Sequence, residues 1–217
     1  MTGPPIVFSF DFISPYAYLA WTQIHALAAR HGRAVTPRPI LFAALLNAHG
    51  TKGPAEIAPK RVYVFKDALR RAARYGVPFA PPPSHPFNPL LALRAVHASG
   101  MHRGLIDALF AATWGEAEHR GVEHPDVVAA CADAVGLDGV ALVERAGAAD
   151  VKDAVRAATD AALAEGVFGV PTMTVGDEPF WGTDSLPLLE QHLRGEDPVT
   201  PALLERVRAI RASASRR

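Results

Sequence analysis

β-type segments occur near the two ends of this chain, and a long block rich in alanine, leucine and arginine separates them. Residues 6–12 are short, β-rich and mostly apolar, which is typical of a buried parallel strand. Residues 35–41 are also strand-like. Pro37 and Pro39 indicate an edge strand there, because proline cannot donate a hydrogen bond to a central ladder.

A helix is predicted between these two strands, over residues 16–31. Its apolar residues recur at helical spacing. Pro15 suits the first turn of a helix, where a missing N–H costs nothing, and Gly32 follows in the position that glycine favours after a helix. The chain therefore opens as strand, helix, strand.

The middle of the chain, from Phe42 to Gly166, has almost no β-type runs. Glycines separate its helical stretches, and a proline-rich connector over residues 78–83 cannot be helical. We predict helices over residues 43–49, 60–75, 89–99, 102–114, 125–135, 140–145 and 149–165.

The end of the chain returns to β-type residues. Thr172–Val175 and residues 179–181 flank Gly176-Asp177, which is a signal for a hairpin turn. Two closing helices are predicted after the hairpin, over residues 186–193, with Asp184 as a candidate cap, and over residues 200–210.

The resulting order is that of thioredoxin once the middle is removed. We predict an α/β chain with a thioredoxin fold and a large all-helical insertion. The expected domains are residues 1–41 plus 167–217, a discontinuous thioredoxin-like domain, and residues 42–166, the inserted helical domain. Fold alone does not determine chemistry.

The composition excludes several classes of function. The 22 lysine and arginine residues balance 22 aspartate and glutamate residues, so no net field attracts nucleic acid or an anionic membrane. No run is long enough to span a bilayer, and the N-terminus does not resemble a signal peptide. A single cysteine, Cys131, permits no intramolecular disulfide, so we expect a reducing, cytoplasmic setting.

Ser14 lies where a thioredoxin-like protein carries its first redox cysteine, and Ala17 occupies the second cysteine position, which disfavours a disulfide oxidoreductase. Further along, Gly169-Val170-Pro171-Thr172 stands directly before a strand, where thioredoxin-like proteins place a cis-proline. The alternative interpretation of Ser14 is a simple helix N-cap, a position that serine favours in all folds.

Four motifs together resemble the 2-hydroxychromene-2-carboxylate isomerase family, close kin of the kappa-class glutathione transferases in the DsbA-like superfamily. They are Asp11-Phe12-Ile13-Ser14-Pro15-Tyr16, Pro59-Lys60-Arg61, Gly169-Val170-Pro171-Thr172 and Phe180-Trp181-Gly182-Thr183-Asp184. Each motif alone is weak, but the combination is specific and spans nearly the whole chain.

The resemblance implies that Ser14 holds the thiolate of glutathione at the N-terminus of the first helix. Free N–H groups and the helix dipole stabilise an anion there. It also implies a cis Val170-Pro171 bond, which turns the Val170 backbone toward the cysteinyl part of glutathione. A trans bond is the usual form elsewhere.

The family grips the γ-glutamyl end of glutathione near the last helix, which assigns Trp181, Asp184 and Ser185 to cofactor binding. Their ordinary alternative is a core tryptophan and a helix cap. Four residues are expected to bind the substrate through its carboxylate or carbonyl group: Asn47, Lys60, Arg61 and Asn88. The alternatives there are solvated surface for the Lys-Arg pair and a cap for Asn88.

Other titratable residues receive no role. His85 stands in a loop, where a histidine is more often structural or exposed. His119 and His124 lie near several glutamates, but the spacing matches no zinc motif, so we expect no metal. Cys131 is expected to be a buried small hydrophobe.

The implied function is glutathione-dependent cis–trans isomerisation of 2-hydroxychromene-2-carboxylate or a similar aromatic-catabolic 2-oxo-alkenoate, in a protein that could form a homodimer. One alternative is a kappa-like glutathione transferase or peroxidase. Another is a thioredoxin-fold binding module without catalysis.

Overall fold

A computed structural model describes residues 3–115 and 121–214. Four strands lie within this part of the chain: β1 (Ile6–Phe10), β2 (Val35–Pro39), β3 (Thr172–Val175) and β4 (Glu178–Trp181). The α-helices are α1 (Pro15–Arg30), α2 (Phe42–Ala48), α3 (Ala58–Tyr75), α4 (Leu90–Ala98), α5 (Arg103–Phe110), α6 (Pro125–Asp133), α7 (Gly139–Ala146), α8 (Ala149–Ala164), α9 (Leu186–Leu193) and α10 (Pro201–Arg208).

The four strands form one sheet in the order β2-β1-β3-β4. β1 pairs with β2 in parallel and with β3 antiparallel, and β4 completes a hairpin with β3. The prolines of β2 lie on an edge strand, as predicted. Gly176 at the hairpin turn has a φ of +60°, a conformation that glycine adopts without strain.

The described residues between β2 and β3 contain helices and no strand, as the sequence pattern predicted. Several boundaries differ from the predictions: β1 ends at Phe10 and β2 at Pro39, each two residues before its predicted end, and α6 ends at Asp133 rather than at residue 135. The expected helix over residues 102–114 ends at Phe110 and continues as a π-helical turn, Ala111–Gly115. That wider turn contains Trp114, which is fully buried and whose indole N–H donates to the carbonyl oxygen of Phe12 at 2.8 Å.

The closing helix α9 spans the residues predicted for it, Leu186–Leu193, but it lacks the predicted cap. A 3-10 turn, Thr183–Ser185, precedes α9, and no side chain caps that helix. Asp184 therefore does not have the capping role proposed for it. Its Oδ1 atom lies against Gly182 instead, where a Cβ would come within 2.6 Å of it. With a φ of +87°, Gly182 also adopts a conformation that other residues rarely adopt.

An aromatic cluster joins the sheet to the helical block. Phe8 and Phe10 of β1 contact Trp21 of α1, with ring centroids 5.3 and 5.8 Å apart. Phe110 of α5 packs against Phe10 at 5.4 Å and against Phe12 at 4.7 Å. Burying each such side chain contributes roughly 1.5–3 kcal/mol, so this shared core holds the block against the sheet. The division into two domains stays a prediction.

Thr159 of α8 links the helical block to the end of β2. Its hydroxyl donates to the Val155 carbonyl at 2.7 Å and accepts the Leu41 N–H at 3.0 Å. Among residues 3–115 and 121–214, Thr113 makes only the first kind of bond, to the Leu109 carbonyl at 2.6 Å. Both threonines are buried, so they form a matched pair.

We expect Thr159→Val to lower the free energy of unfolding by roughly 1–3 kcal/mol, because the Leu41 N–H is left without its acceptor. Thr113→Val should be nearly neutral, since it leaves no backbone donor unpaired. Urea denaturation followed by circular dichroism measures both. Equal effects of the two changes would contradict the bridging role of Thr159.

Candidate active site

A mostly apolar cavity of about 930 Å³ opens between the end of β1, the helices α2 and α3, and the loop before β3. Aromatic side chains supply much of its wall. The residues that line it include Ile13, Phe42, Phe65, Phe87, Phe168 and Trp181. An apolar cavity with a few converging polar groups is the usual form of a small-molecule site.

Ser14 lies at this cavity, directly before the first residue of α1. Its backbone is extended, with φ −96° and ψ 114°, and its hydroxyl oxygen accepts the Ala17 N–H at 3.2 Å. The same hydroxyl donates to the Val170 carbonyl at 3.4 Å, which is a long and weak bond. Ser14 is therefore a helix cap whose proton can be re-aimed at a ligand.

The Val170-Pro171 peptide bond is cis, as predicted from the motif before β3. Val170 is buried and lines the cavity opposite Ser14. The carbonyl of Pro171 accepts the Gly182 N–H at 2.9 Å, which ties this loop to the end of β4. Pro171 itself is buried but is not part of the cavity lining.

Trp181 stands at the cavity rim rather than in the core, since 54% of it is exposed. Its ring meets Phe168 edge-on, with centroids 5.1 Å apart. Gly169 makes this packing possible, because a Cβ on that residue would lie 2.5 Å from the Trp181 indole nitrogen. The core alternative for Trp181 is therefore wrong.

Asp184 and Ser185 follow Trp181 in the 3-10 turn, outside the cavity lining. The Ser185 hydroxyl donates to the Trp181 carbonyl. Asp184 is exposed, and its charge acts on Arg71 of α3. Partial burial lowers the pKa of Arg71, but the hydrogen bond to Asp67 and the charges of Asp67 and Asp184 raise that pKa on balance.

A polar cluster on α3 borders this region. Tyr16 O–H and Arg71 Nε both donate to Oδ2 of Asp67, at 2.9 and 2.6 Å. The Arg71 guanidinium also lies 5.6 Å from the centre of the Tyr16 ring. Burial, followed by the bond to Asp67, raises the pKa of Tyr16, so the phenol stays protonated near neutral pH.

The structure separates the four residues predicted for the substrate side. Asn47 and Arg61 line the cavity, whereas Lys60 and Asn88 do not. Lys60 is an exposed residue in the first turn of α3. The Asn88 side-chain oxygen accepts the Leu90 N–H at 3.0 Å, so it serves the start of α4, as its capping alternative proposed.

Asp11 belongs to the site but was given no role from the sequence. It is fully buried and lines the cavity. Its two carboxyl oxygens accept the N–H groups of Ile13 at 3.1 Å and Phe42 at 2.9 Å. Burial raises the pKa of Asp11 to about 7, although these two hydrogen bonds oppose the rise.

His85 also lines the cavity, although the sequence pattern assigns it no role. Its Nε2 lies 2.9 Å from the Ile13 carbonyl oxygen. Burial lowers the pKa of His85, the bond to Ile13 partly opposes this, and Arg61 lowers it further. The available sequence signal is weak: His85 stands between the proline-rich connector and Pro86, with Phe87 next along the chain.

Groups of three or more histidine, cysteine or carboxylate side chains that could bind a metal are not found within residues 3–115 and 121–214. His119 lies outside the described residues. Cys131 is partly buried on α6 and packs against the main core. In the described part of the chain, no helix is both long and apolar enough to cross a membrane.

Comparison with known proteins agrees with this fold. The sequence profile of the DSBA-like thioredoxin domain matches residues 5–194. A 2-hydroxychromene-2-carboxylate isomerase from Sphingobium xenophagum is 36% identical, over 87% of this chain and 97% of that protein. Glutathione s-transferase kappa 2 of Caenorhabditis elegans is 26% identical, over 87% of this chain and 91% of that protein.

Among solved structures, a selenomethionine 2-hydroxychromene-2-carboxylate isomerase superposes with a TM-score of 0.77. The match has 28% sequence identity and covers 94% of this chain and 97% of that structure. The fold and the site at the start of α1 define a DsbA-like thioredoxin protein. The chain belongs to the 2-hydroxychromene-2-carboxylate isomerase family within that class, and it is an enzyme of the isomerase type.

The raised pKa of Asp11 predicts how stability depends on pH. The folded-state pKa of about 7 exceeds the ordinary value of 3.8, so the folded protein holds this proton more tightly. The stability that results is fully present below pH 3.8 and is lost as pH rises through about 7. Asp11→Asn removes the titration, so the wild type should lose up to ~4 kcal/mol relative to this variant across that window.

Urea denaturation of both proteins at about pH 4.5 and about pH 8 measures this difference. Asp133→Asn is the control, because the Asp133 carboxylate also accepts a backbone N–H, from Gly139 at 2.8 Å, but the residue is exposed. If the difference between wild type and Asp11→Asn does not change with pH, the raised pKa of Asp11 is refuted.

Proposed function

We propose that this protein is a glutathione-dependent cis–trans isomerase of 2-hydroxychromene-2-carboxylate or a similar 2-oxo-alkenoate from aromatic catabolism. The observation that carries the proposal is the Ser14 hydroxyl, which stands at the N-terminus of α1 and faces a large apolar cavity. The related isomerases and kappa transferases support the choice of reaction and of thiol.

The residues at the start of α1 fit a thiolate. The Ser14 hydroxyl can turn from the distant Val170 carbonyl to a sulfur anion while it keeps the Ala17 N–H. A hydrogen bond to a charged group contributes roughly 1.5–3 kcal/mol. One pKa unit corresponds to about 1.4 kcal/mol, so this bond can lower a thiol pKa from ~8.5 by one to two units.

The neighbouring loop fits the peptide part of glutathione. Within the described part of the chain, the Val170 carbonyl receives only a long bond from Ser14, so it can accept an N–H from an extended peptide. Trp181 offers an exposed ring at the rim, and Asp184 offers a carboxylate that could pair with the γ-glutamyl ammonium. Ser185, also predicted to bind the γ-glutamyl end, follows Asp184 in the 3-10 turn Thr183–Ser185.

Glutathione, when bound, supplies a thiolate that adds to an alkene carbon conjugated to the keto group and leaves again after rotation about the former double bond. Ser14 holds the sulfur as an anion before addition and again after release. The apolar wall excludes water from the reacting alkene, and Arg61 offers a cation to the substrate carboxylate. Asn47 adds an amide donor on the same wall.

A kappa-like transferase or peroxidase is the second candidate, because the same thiolate site occurs in a chain related to glutathione s-transferase kappa 2. Product analysis separates the two reactions. An isomerase returns glutathione unchanged, whereas a transferase or peroxidase consumes it. The cytoplasmic location and the homodimer stay predictions. The substrate roles predicted for Lys60 and Asn88 are not part of this proposal, because both residues lie outside the cavity lining.

Ser14→Ala should raise the pKa of the bound glutathione thiol by roughly one to two units, because the thiolate loses one charged hydrogen bond. The N-terminus of α1 remains, so the thiolate keeps part of its stabilisation. Turnover should fall most at neutral pH and recover partly at higher pH. Ultraviolet thiolate absorbance of the glutathione complex against pH gives the pKa directly.

Ser99→Ala is a suitable control, because Ser99 also bonds the backbone at a helix end but is not part of the cavity lining. Coincident titrations of wild type and Ser14→Ala, with glutathione still bound, would show that Ser14 is a helix cap only. Failure of the wild type to bind glutathione would reject the cofactor itself.

Arg61→Gln should weaken binding of 2-hydroxychromene-2-carboxylate roughly 10- to 150-fold, the value of one lost charged hydrogen bond. Lys60→Gln is the matched control, since it removes the adjacent charge outside the cavity lining and should leave binding unchanged. Isothermal calorimetry with substrate and with glutathione measures both affinities. An equal loss in the two variants, or an equal loss for both ligands, would contradict a specific role of Arg61.

A further inference from the structure

The link between β1 and α1 is a tight turn held by side chains. Ser14 N–H donates to the Asp11 carbonyl at 3.1 Å, which closes a four-residue β-turn. The polar groups in the middle of the turn need partners of their own. The Phe12 carbonyl accepts from the Trp114 indole at 2.8 Å, and the Ile13 N–H donates to the Asp11 carboxyl at 3.1 Å.

Of the three side chains that hold this turn, His85 is the one that contacts the peptide group joined to Ser14. Its Nε2 lies 2.9 Å from the Ile13 carbonyl, which belongs to the same peptide group as the Ser14 nitrogen. A carbonyl can only accept, so Nε2 carries the hydrogen, and in the neutral ring Nδ1 then carries a lone pair. Nδ1 is buried and has no hydrogen-bond partner among the described residues, which is consistent with a neutral ring.

Aromatic rings fix the orientation of this imidazole. The His85 ring centroid lies 5.4 Å from Phe65, 5.6 Å from Trp114 and 6.1 Å from Phe87, in near edge-to-face contacts. The ring is thus held on three sides while its Nε2 points at the Ile13 carbonyl. Its placement in the loop between α3 and α4 brings a donor from the helical block to the start of α1.

We propose that His85 is a positioning residue: its Nε2–H holds the Ile13–Ser14 peptide group and thereby aims the Ser14 hydroxyl at the thiol. The inference rests on the proposed thiolate role of Ser14. The peptide plane before Ser14 sets the direction in which its side chain leaves the backbone. Release of the Ile13 carbonyl lets that plane rotate, so the hydroxyl no longer has a single direction.

His85 can be changed with less damage to the fold than the other two side chains of the turn. Asp11 and Trp114 are fully buried, whereas His85 is only partly buried. The chain also offers a matched control. Nε2 of His97 lies 3.2 Å from the Pro39 carbonyl, and burial lowers the pKa of His97 too, but this contact lies at edge strand β2.

The experiment compares His85→Gln, His85→Phe, His85→Leu and the control His97→Phe. Glutamine can place an N–H near the position of Nε2, whereas phenylalanine keeps the aromatic packing without a donor. Circular dichroism first establishes that each variant folds. The thiol pKa of bound glutathione, kcat and KM at neutral pH, and amide hydrogen exchange of residues 13 and 14 are then measured.

We expect His85→Phe and His85→Leu to raise the thiol pKa and to lower kcat about tenfold or more with little change in KM, because misaimed catalytic groups cost rate. Both should also speed amide exchange at Ile13 and Ser14. His85→Gln should restore each of these values toward those of the wild type. His97→Phe should leave the thiol pKa and the exchange of these amides unchanged.

The proposal is overturned if the donor-less variants titrate and exchange like the wild type, if His97→Phe has the same effects, or if His85→Gln shows no rescue. It is also overturned if His85→Phe and His85→Leu both unfold, since His85 is then a stability residue. Absence of glutathione binding to the wild type would reject the proposed function, while amide exchange would still decide whether His85 holds the turn.

Discussion

The turn from Asp11 to Ser14 is the point on which the site depends. Its closing hydrogen bond is local, but partners for its other polar groups come from Trp114 and His85 in the helical block. Asp11 adds a second link, because its other carboxyl oxygen accepts the N–H of Phe42 at the start of α2. Ser14 therefore takes its position from two parts of the chain, because residues of the helical block hydrogen-bond to the turn that precedes it.

The cavity combines a mostly apolar wall with a small number of polar side chains. Aromatic side chains supply much of the apolar wall, and Ser14 and Arg61 are polar residues at the same cavity, where the proposed function puts a thiolate and a substrate carboxylate. The buried Asp11 carboxyl is costly in its ionised form, since burial raises its pKa to about 7. That cost is consistent with a residue retained for the geometry of the turn rather than for stability.

Much of the fold was predictable from the chain because its signals are local. Short β-rich runs, helical spacings, edge prolines and glycine turns predicted the four strands, their hairpin and most helices. The helix over residues 102–114 was predicted too long, because the π turn at Ala111–Gly115 accompanies the burial of Trp114 and its bond to Phe12. Asp11 and His85 were missed as site residues, since their roles are hydrogen bonds to backbone groups, and sequence patterns do not show these.

The sequence by itself determined that a serine, and not a cysteine, begins the first helix, and that a Val-Pro pair precedes β3. It also determined that both lie in a thioredoxin-like order of elements. Only the tertiary structure decided that Arg61 lines the cavity while Lys60 does not, and that Asn88 serves the start of α4. The physical reason is the sequence separation between the residues that interact. Propensity and spacing act within a few residues, whereas the contacts of Ser14 with Val170 and of Ile13 with His85 join positions 156 and 72 residues apart, which only packing brings together.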